Sequence, residues 1–401
     1  MLIYWIWFSR LKLSIRQKLN LLQLFHDPES IYKASAESLE ELQALSAEDL
    51  EQLNDRALAP SRQILRQCSE KSISILTYGD SAYPRRLQNI QEPPLVLYYK
   101  GCLPDWESVP VIGIVGTRKA SSYGIQTARK LGTEIAQCGG LVVSGGADGI
   151  DTAALEGALS SGCNVVAVLG CGADMVYPAK NKALFQQIQQ HGCLLSEFLP
   201  GTPAYSWNFL QRNRIISGLS AGILVVEAPE RSGALNTARH AREQGRDLFV
   251  VPGNIDSQTC AGSNKLLQEQ ALPVFSGWDI LREYECLYPH SVRRVQPREP
   301  AILTVAQPTE HPVVTAAPTA RPDKKSIDNP EKSHYSVGDN KNIELSPEEQ
   351  AVVKLLTPQP RPVDEVIAEA MLPAAKVLSV LTMLALKGLA VNHPGKRISL
   401  K

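Results

Sequence analysis

Two stretches decide how this chain folds: Ile112-Gly-Ile-Val-Gly116-Thr-Arg118 and Val142-Val-Ser-Gly-Gly-Ala-Asp-Gly-Ile-Asp151. Each is a short run rich in β-branched residues that stops at glycine and gives way to a helical pattern. A strand covered on both faces reads as a continuous apolar run rather than an alternating one. The same succession recurs at Val109–Val115, Leu141–Ser144, Val165–Leu169, Leu194–Glu197, Ile223–Glu227 and Leu248–Val251, with helical stretches between. Strands alternating with helices predict an α/β domain built on a parallel sheet with helices on both faces.

Outward from that centre, Ile73–Gly79 and Leu95–Tyr99 read as two strands bridged by the proline turns Tyr83-Pro84 and Pro93-Pro94. Before them, Leu19, Leu22, Phe25, Leu39, Leu42, Leu45, Leu50 and Leu53 fall at helical intervals, and Ser46-Ala-Glu-Asp49 has the form of a capping box. This predicts a small all-helical domain. Beyond Pro289 the chain turns rich in Pro, Thr, Ala and charge, the composition of a flexible linker. Leu345–Leu356, Val363–Ala370 and Pro373–Leu386 then carry helical patterns, followed by a predicted hairpin through His393–Arg397. Three helices and a hairpin make a winged helix. The expected division is a helical domain at 1–71, a Rossmann-like domain at 72–288, a linker at 289–342 and a winged helix at 343–401.

The 401 residues hold 41 Lys and Arg against 41 Asp and Glu, so no overall positive field draws nucleic acid and any contact must be local. The eight cysteines are never spaced as a zinc knuckle or redox pair would need, so no metal is expected and they read as small, reduced core residues. The apolar start Met1–Phe8 is too short for a membrane span and lacks a basic region before a cleavage site. A cytoplasmic protein is the expectation.

Chemistry concentrates where the strands end. Gly116, Thr117 and Arg118 precede a helix opened by Ser121 and Ser122, and free N–H groups at such an end, with an arginine fork beside them, suit phosphate. The spacing matches neither a dinucleotide fingerprint nor a Walker loop. Ser144, Gly145 and Gly146 form either an anion nest or simply a tight turn ahead of a helix capped by Asp148 or Asp151. Lys180, Asn181 and Lys182 follow Tyr177-Pro178 at the carboxyl edge of the third strand, where open sheets hold ligands. Gln211-Arg212-Asn-Arg214 reads as the first turn of a helix, where positive charge needs an anionic partner: a phosphate, or a carboxylate such as Glu197 or Glu227. Arg231-Ser232-Gly233, Pro252-Gly253 and Gly262–Lys265 mark further strand-to-loop edges. No nucleophile stands beside a base, and none of the seven histidines falls in these loops. The edge reads as built to bind, without a catalytic residue and without a cofactor.

In order and spacing, Ile-Val-Gly-Thr-Arg118, Ser-Gly-Gly-Ala-Asp-Gly-Ile-Asp151, Gly170-Cys-Gly-Ala-Asp174 with Tyr177-Pro178, Arg212-Asn-Arg-Ile-Ile216, Val-Val-Glu-Ala228, Ser232-Gly-Ala and Val-Pro-Gly253 resemble the DprA/Smf family over about Tyr83 to Ala271. The resemblance implies an α/β fold with an extended Rossmann-type parallel sheet, single-stranded DNA bound in a basic pocket, a homodimer, contact with the RecA recombinase, and loading of RecA on DNA taken up in natural transformation. It gives Arg118 the role of the pocket arginine and makes Lys180 or Lys182 the pocket lysine. Where the family commonly has histidine after Gly-Ile-Asp-Thr-Ala-Ala, this chain has Leu155. The N-terminal helical domain resembles the family's sterile-alpha-motif-like or helix-hairpin-helix region, yet Leu11-Lys-Leu-Ser-Ile15 lacks its glycines, so residues 10–18 are not expected to hold DNA.

Two other readings compete. The sheet also resembles lysine-decarboxylase-like phosphoribohydrolases, which cleave nucleoside monophosphates with a Pro-Gly-Gly-x-Gly-Thr-x-x-Glu loop. Here that region is Arg231-Ser-Gly-Ala-Leu-Asn-Thr-Ala-Arg239, without the glutamate. The winged helix would suit a transcriptional regulator, but Pro373–Leu386 is largely apolar and fits a protein contact better than a base reader. Incubated with AMP, the protein is expected to release no adenine; free adenine by chromatography would make it a hydrolase.

Overall fold

In the computed structural model the strands in chain order are β1 (Ser74–Thr77), β2 (Val96–Gly101), β3 (Val111–Val115), β4 (Leu141–Ser144), β5 (Val165–Val168), β6 (Gly192–Ser196), β7 (Gly222–Val225), β8 (Asp247–Val250) and β9 (Leu272–Pro273). The structure describes residues 1–40, 42, 45–295, 346–359, 361–370, 372–393 and 397–400. These nine strands make one sheet in the order β1-β2-β6-β5-β4-β3-β7-β8-β9. From β3 to β9 all neighbours run parallel, and the antiparallel pair β1–β2 extends the β6 side. The predicted lead-in strands are thus part of the main sheet.

Alternation along β3 shows how the two faces are filled. Ile112 and Ile114 join the core formed with helices Ser122–Gln137 and Ile150–Ser160, while Val111 and Val115 face helices Ser206–Leu219 and Gly233–Glu243. Leu155 is fully buried in the first of these cores. The chain steps outward from β3 through β4 and β5 to β6, then returns over the sheet along Ser206–Leu219 to place β7 against the free edge of β3. The strand order therefore reverses between β3 and β7. In open α/β sheets the crevice at the carboxyl end of such a reversal is the natural ligand site.

Six helices between Leu2 and Glu70 pack around Trp5, Ile6, Trp7 and Phe8 and close on Leu95, Val96 and Tyr98 of the β2 region. The apolar start of the chain is thus core, and no described helix is long and apolar enough to cross a membrane. The expected capping box forms: Asp49 N–H donates to Ser46 Oγ at 3.2 Å and Ser46 N–H to Asp49 Oδ2 at 2.9 Å. All eight cysteines are free thiols. Cys102 and Cys286 depart from the expected core placement, since both are exposed.

The described residues fall in two compact units, one within Met1–Thr304 and the other within Val305–Lys401. Residues 289–295, assigned from composition to the linker, belong to the first unit: Val292 is buried in its core and Arg293 N–H donates to Cys138 O at 3.0 Å. The rest of the expected linker, 296–342, lies outside the described residues. In the second unit, helices Pro347–Val353, Val363–Glu369 and Ala374–Leu386 enclose a core with Val366, Val377 and Leu384, beside strands β10 (Arg361–Pro362), β11 (Ala390–His393) and β12 (Arg397–Leu400) in the order β10-β12-β11. This is the predicted winged helix. Lys376 pairs with Glu348 and Lys387 with Glu349, so the helix that would enter a groove has both lysines neutralised inside its own domain.

A chain ending at residue 295 is expected to keep the cooperative melting of the first unit. One ending at 288 should melt lower, because it loses the burial of Val292, worth about 1.5–3 kcal/mol. Equal melting temperatures would show that 289–295 add nothing.

Candidate nucleic-acid interface

At the carboxyl end of the β3/β7 reversal lies a cavity of about 400 Å³. One wall is Gly116, Thr117 and Arg118; the facing wall comes from helix Ser206–Leu219 through Phe209 and Arg212; Arg231 and Ser232–Ala234 close it. Four cationic side chains line it, Arg118, Lys119, Arg212 and Arg231, against one carboxylate, Asp151. That excess favours an anion, although the chain as a whole is neutral.

Arg118 is exposed, and its guanidinium lies 4.7 Å from the centre of the Phe209 ring. It makes no ion pair with any described residue. Stacking fixes the plane of the fork while leaving its N–H edge open, which prepares it for a phosphate. Phe209 also lies 6.0 Å from the Arg212 guanidinium and 5.4 Å from the Tyr177 ring. The ring therefore organises both arginines.

Arg212 has a different task. It is 3% exposed and donates from Nη1 to the Val168 carbonyl at 2.7 Å, beneath the cavity. Asp151 is buried beside it and accepts from Gly145 N–H at 3.1 Å and Ala147 N–H at 3.4 Å. Burial pushes the Asp151 carboxyl up to about 6 against the pull of Arg212, and burial pushes Arg212 down to about 10. A Cβ on Gly145 would sit 2.0 Å from Arg212 Nη1, so this glycine makes room for the guanidinium. Gly149, with φ +80°, is the second backbone requirement: its Cβ would meet Thr117 O at 2.4 Å, where the β3 and β4 loops touch.

The structure brings Gly116, Thr117, Arg118 and Arg212 to one cavity. It does not bring the remaining candidates there. Ser144 is fully buried and donates to Ile114 O at 2.6 Å, tying β4 to β3. Gly145 and Gly146 are buried below the loop surface. Asn181 is 5% exposed and donates to Gly146 O at 3.1 Å and Thr152 Oγ1 at 2.7 Å, which makes it a tether between loops. Lys180 pairs with Asp148 at 3.0 Å, and Lys182 is exposed; both lie outside the cavity. Arg214 is engaged with Glu197 through two hydrogen bonds of 2.7 Å, the internal carboxylate anticipated as one alternative.

Two expectations about helix ends are corrected. The helix carrying Arg212 and Arg214 begins at Ser206, so neither arginine is in its first turn and the macrodipole argument does not apply to them. The helix after β3 does not offer its N-terminus to a ligand either: Glu227, 1% exposed, accepts from Ser121 N–H at 2.9 Å and Ser121 Oγ at 2.5 Å. A carboxylate of the protein occupies the place where a phosphate was expected. The N-terminus that does face the cavity is that of Gly233–Glu243, held by Asn213 Nδ2 donating to Gly233 O at 3.2 Å. A Cβ at Gly233 would meet nothing within 4 Å, so the approach is open. Lys119 and Phe209 were absent from the expected set, and Arg231 was noted only as part of a strand-to-loop edge. Phe209 precedes Arg212 by one helical turn, and that spacing was the available signal.

The family model of DNA recombination-mediator protein A matches residues 74–285, and that of the DprA winged helix domain matches 339–396. Protein Smf of Synechocystis is 32% identical over 400 residues, covering 98% of this chain and 97% of that protein. The DNA processing protein DprA of Streptococcus pneumoniae is 43% identical over 218 residues, 53% of this chain and 74% of that one. The X-ray structure of the Streptococcus pneumoniae protein superposes with a TM-score of 0.62 at 34% identity, covering 70% of this chain and 96% of that chain. Sequence, sheet and terminal domain agree, and the chain belongs to the DprA/Smf family, the DNA recombination-mediator protein A family.

Proposed function

We propose that this chain is a DNA-processing protein that binds single-stranded DNA in the β3/β7 cavity and delivers it to the RecA recombinase during natural transformation, as a cytoplasmic homodimer and without catalysing a reaction. The observation that carries the binding step is the fork of Arg118, which lies over the Phe209 ring and makes no ion pair with any described residue, among three further cations. A cavity of this size between loops admits one splayed backbone, and rings such as Phe209 and Tyr177 offer surfaces on which bases stack. A duplex has neither the width nor the unpaired bases for it. Dimerisation and RecA contact rest on family membership.

In this reading Gly116, Thr117, Arg118, Lys119, Arg231 and the Gly233 helix end contact phosphate, with Arg212 adding charge from below. Of the two lysines at the neighbouring edge, Lys182 is the DNA contact, since Lys180 is paired with Asp148. The helical segment 1–71, the Rossmann-like segment from 72, the linker to 342 and the winged helix from 343 divide the work, with DNA held by the second. The winged helix, with Lys376 and Lys387 paired internally, meets protein.

Single strands are expected to bind at least about tenfold tighter than duplex, with a shallow salt slope of about −2 to −4 in log K against log salt. Equal affinity, or a slope near zero, would contradict the mode. Arg118→Ala should cost roughly 1.5–3 kcal/mol, or about ten- to a hundredfold in affinity, with unchanged melting because Arg118 makes no ion pair with any described residue. Lysine at 118 should restore only part, since it keeps charge and loses the fork.

Asp151 sets the pH dependence. Its folded pKa is raised to about 6, so the stability it contributes is full below the ordinary carboxylate value of 3.8 and is lost as pH rises through about 6. A phosphate bound nearby raises it further, and binding therefore takes up a proton. Affinity should climb as pH falls from about 7.5 to 5.5, and Asp151→Asn should flatten that climb. An undiminished climb in the variant would assign it elsewhere.

A further inference from the structure

We propose that Tyr205 and Trp207 form a nucleobase-stacking platform that carries a single strand out of the cavity, a reading that rests on the cavity being a single-strand site. Their rings are already stacked, with centroids 4.7 Å apart and planes 6° apart. Trp207 is 62% exposed and Tyr205 44%, whereas Trp5, Trp7 and Trp106 are buried. Isolated apolar groups on a surface are ordinary. Two parallel rings turned to water beside four cations are a surface prepared for a polyanion that carries flat aromatic groups.

The placement supports the same ligand. Ser206, between the two aromatics, lines the cavity, as does Phe209. Tyr205 and Phe209 are one helical turn apart and so share a side of the helix. Phe209 at the cavity, packed on the Tyr177 ring, is thus one helical turn from the exposed pair Tyr205 and Trp207 outside it. The start of this helix also forgoes local stability: Tyr205 stands at the N-cap, makes no side-chain cap hydrogen bond, and occupies a position where Ser, Thr, Asp or Asn is preferred. A stacking role accounts for a tyrosine there.

The test uses the full chain and two strands of equal length, oligothymidylate and an abasic oligomer with the same phosphates. The double variant Tyr205→Leu, Trp207→Leu is expected to lose about five- to tenfold or more in affinity for oligothymidylate, from stacking lost on truncation. It should bind the abasic strand as the native chain does, and melt at the same temperature. Arg118→Ala should weaken both strands. Oligothymidylate should quench the tryptophan fluorescence of the native chain, and Trp207→Leu should abolish that change. The platform is overturned if the double variant binds oligothymidylate normally, if it loses both strands equally, or if its sole effect in sedimentation is to dissociate a dimer. Arg118→Ala with no effect on either strand would refute the cavity reading instead, so the two failures are distinguishable.

Discussion

A guanidinium without access to water underlies the carboxyl edge of this sheet. Arg212 stays charged when buried, and taking a charge out of water costs several kcal/mol unless partners are supplied. The partners are the Val168 carbonyl and, across the loop, Asp151. Holding them in place dictates much else: glycine at 145, the backbone N–H groups of the β4 loop turned toward Asp151, and the end of β5 brought alongside. The Val168 carbonyl meets only Nη1, and among the described residues Nε of Arg212 is buried without a hydrogen-bond partner, so the charge is held in place beneath the cavity but only partly satisfied. A side chain fixed in this way before a ligand arrives lowers the ordering cost of binding.

The same edge shows how a fold allocates its helix ends. A buried glutamate, Glu227, takes the N-terminus after β3 and thereby fixes the β3 loop against β7. The N-terminus after β7 is left for the cavity. Arg214 and Glu197 repeat the pattern of internal pairing farther along. Charged residues that look like ligand contacts in the sequence are thus split between building the edge and serving it. Exposure separates the two groups: Arg118 is open, while Arg212, Arg214 and Glu227 are all less than a tenth exposed.

The sheet was legible because its strands are continuous apolar runs and its loops are marked by glycine. The Ser46 box was legible because it is local. Arg118 could be singled out because a strand end fixes where the next side chain stands. What escaped was long-range. The pairing of Glu227 with Ser121 spans 106 residues, and no local pattern announces it. The start of helix Ser206–Leu219 was missed because Pro203-Ala-Tyr205 carries no polar cap, which moved Arg212 and Arg214 to an apparent first turn. Ser144 and Asn181 looked like contacts since their types bind ligands well; only burial shows that they join loops.

The return of the chain to β3 has a consequence for synthesis. Emerging amino end first, the protein completes β3 to β6 and pairs them on one side, while the other edge of β3 waits for β7. Contacts so distant in sequence form late, and an unpaired strand edge is meanwhile an invitation to aggregation. Until β7 docks, Glu227 is missing from the helix after β3, and the residues from Arg231 onward are missing from the cavity. The sheet therefore gains its last central pairing and its cavity in the same event, and a chain that ends before β7 has neither.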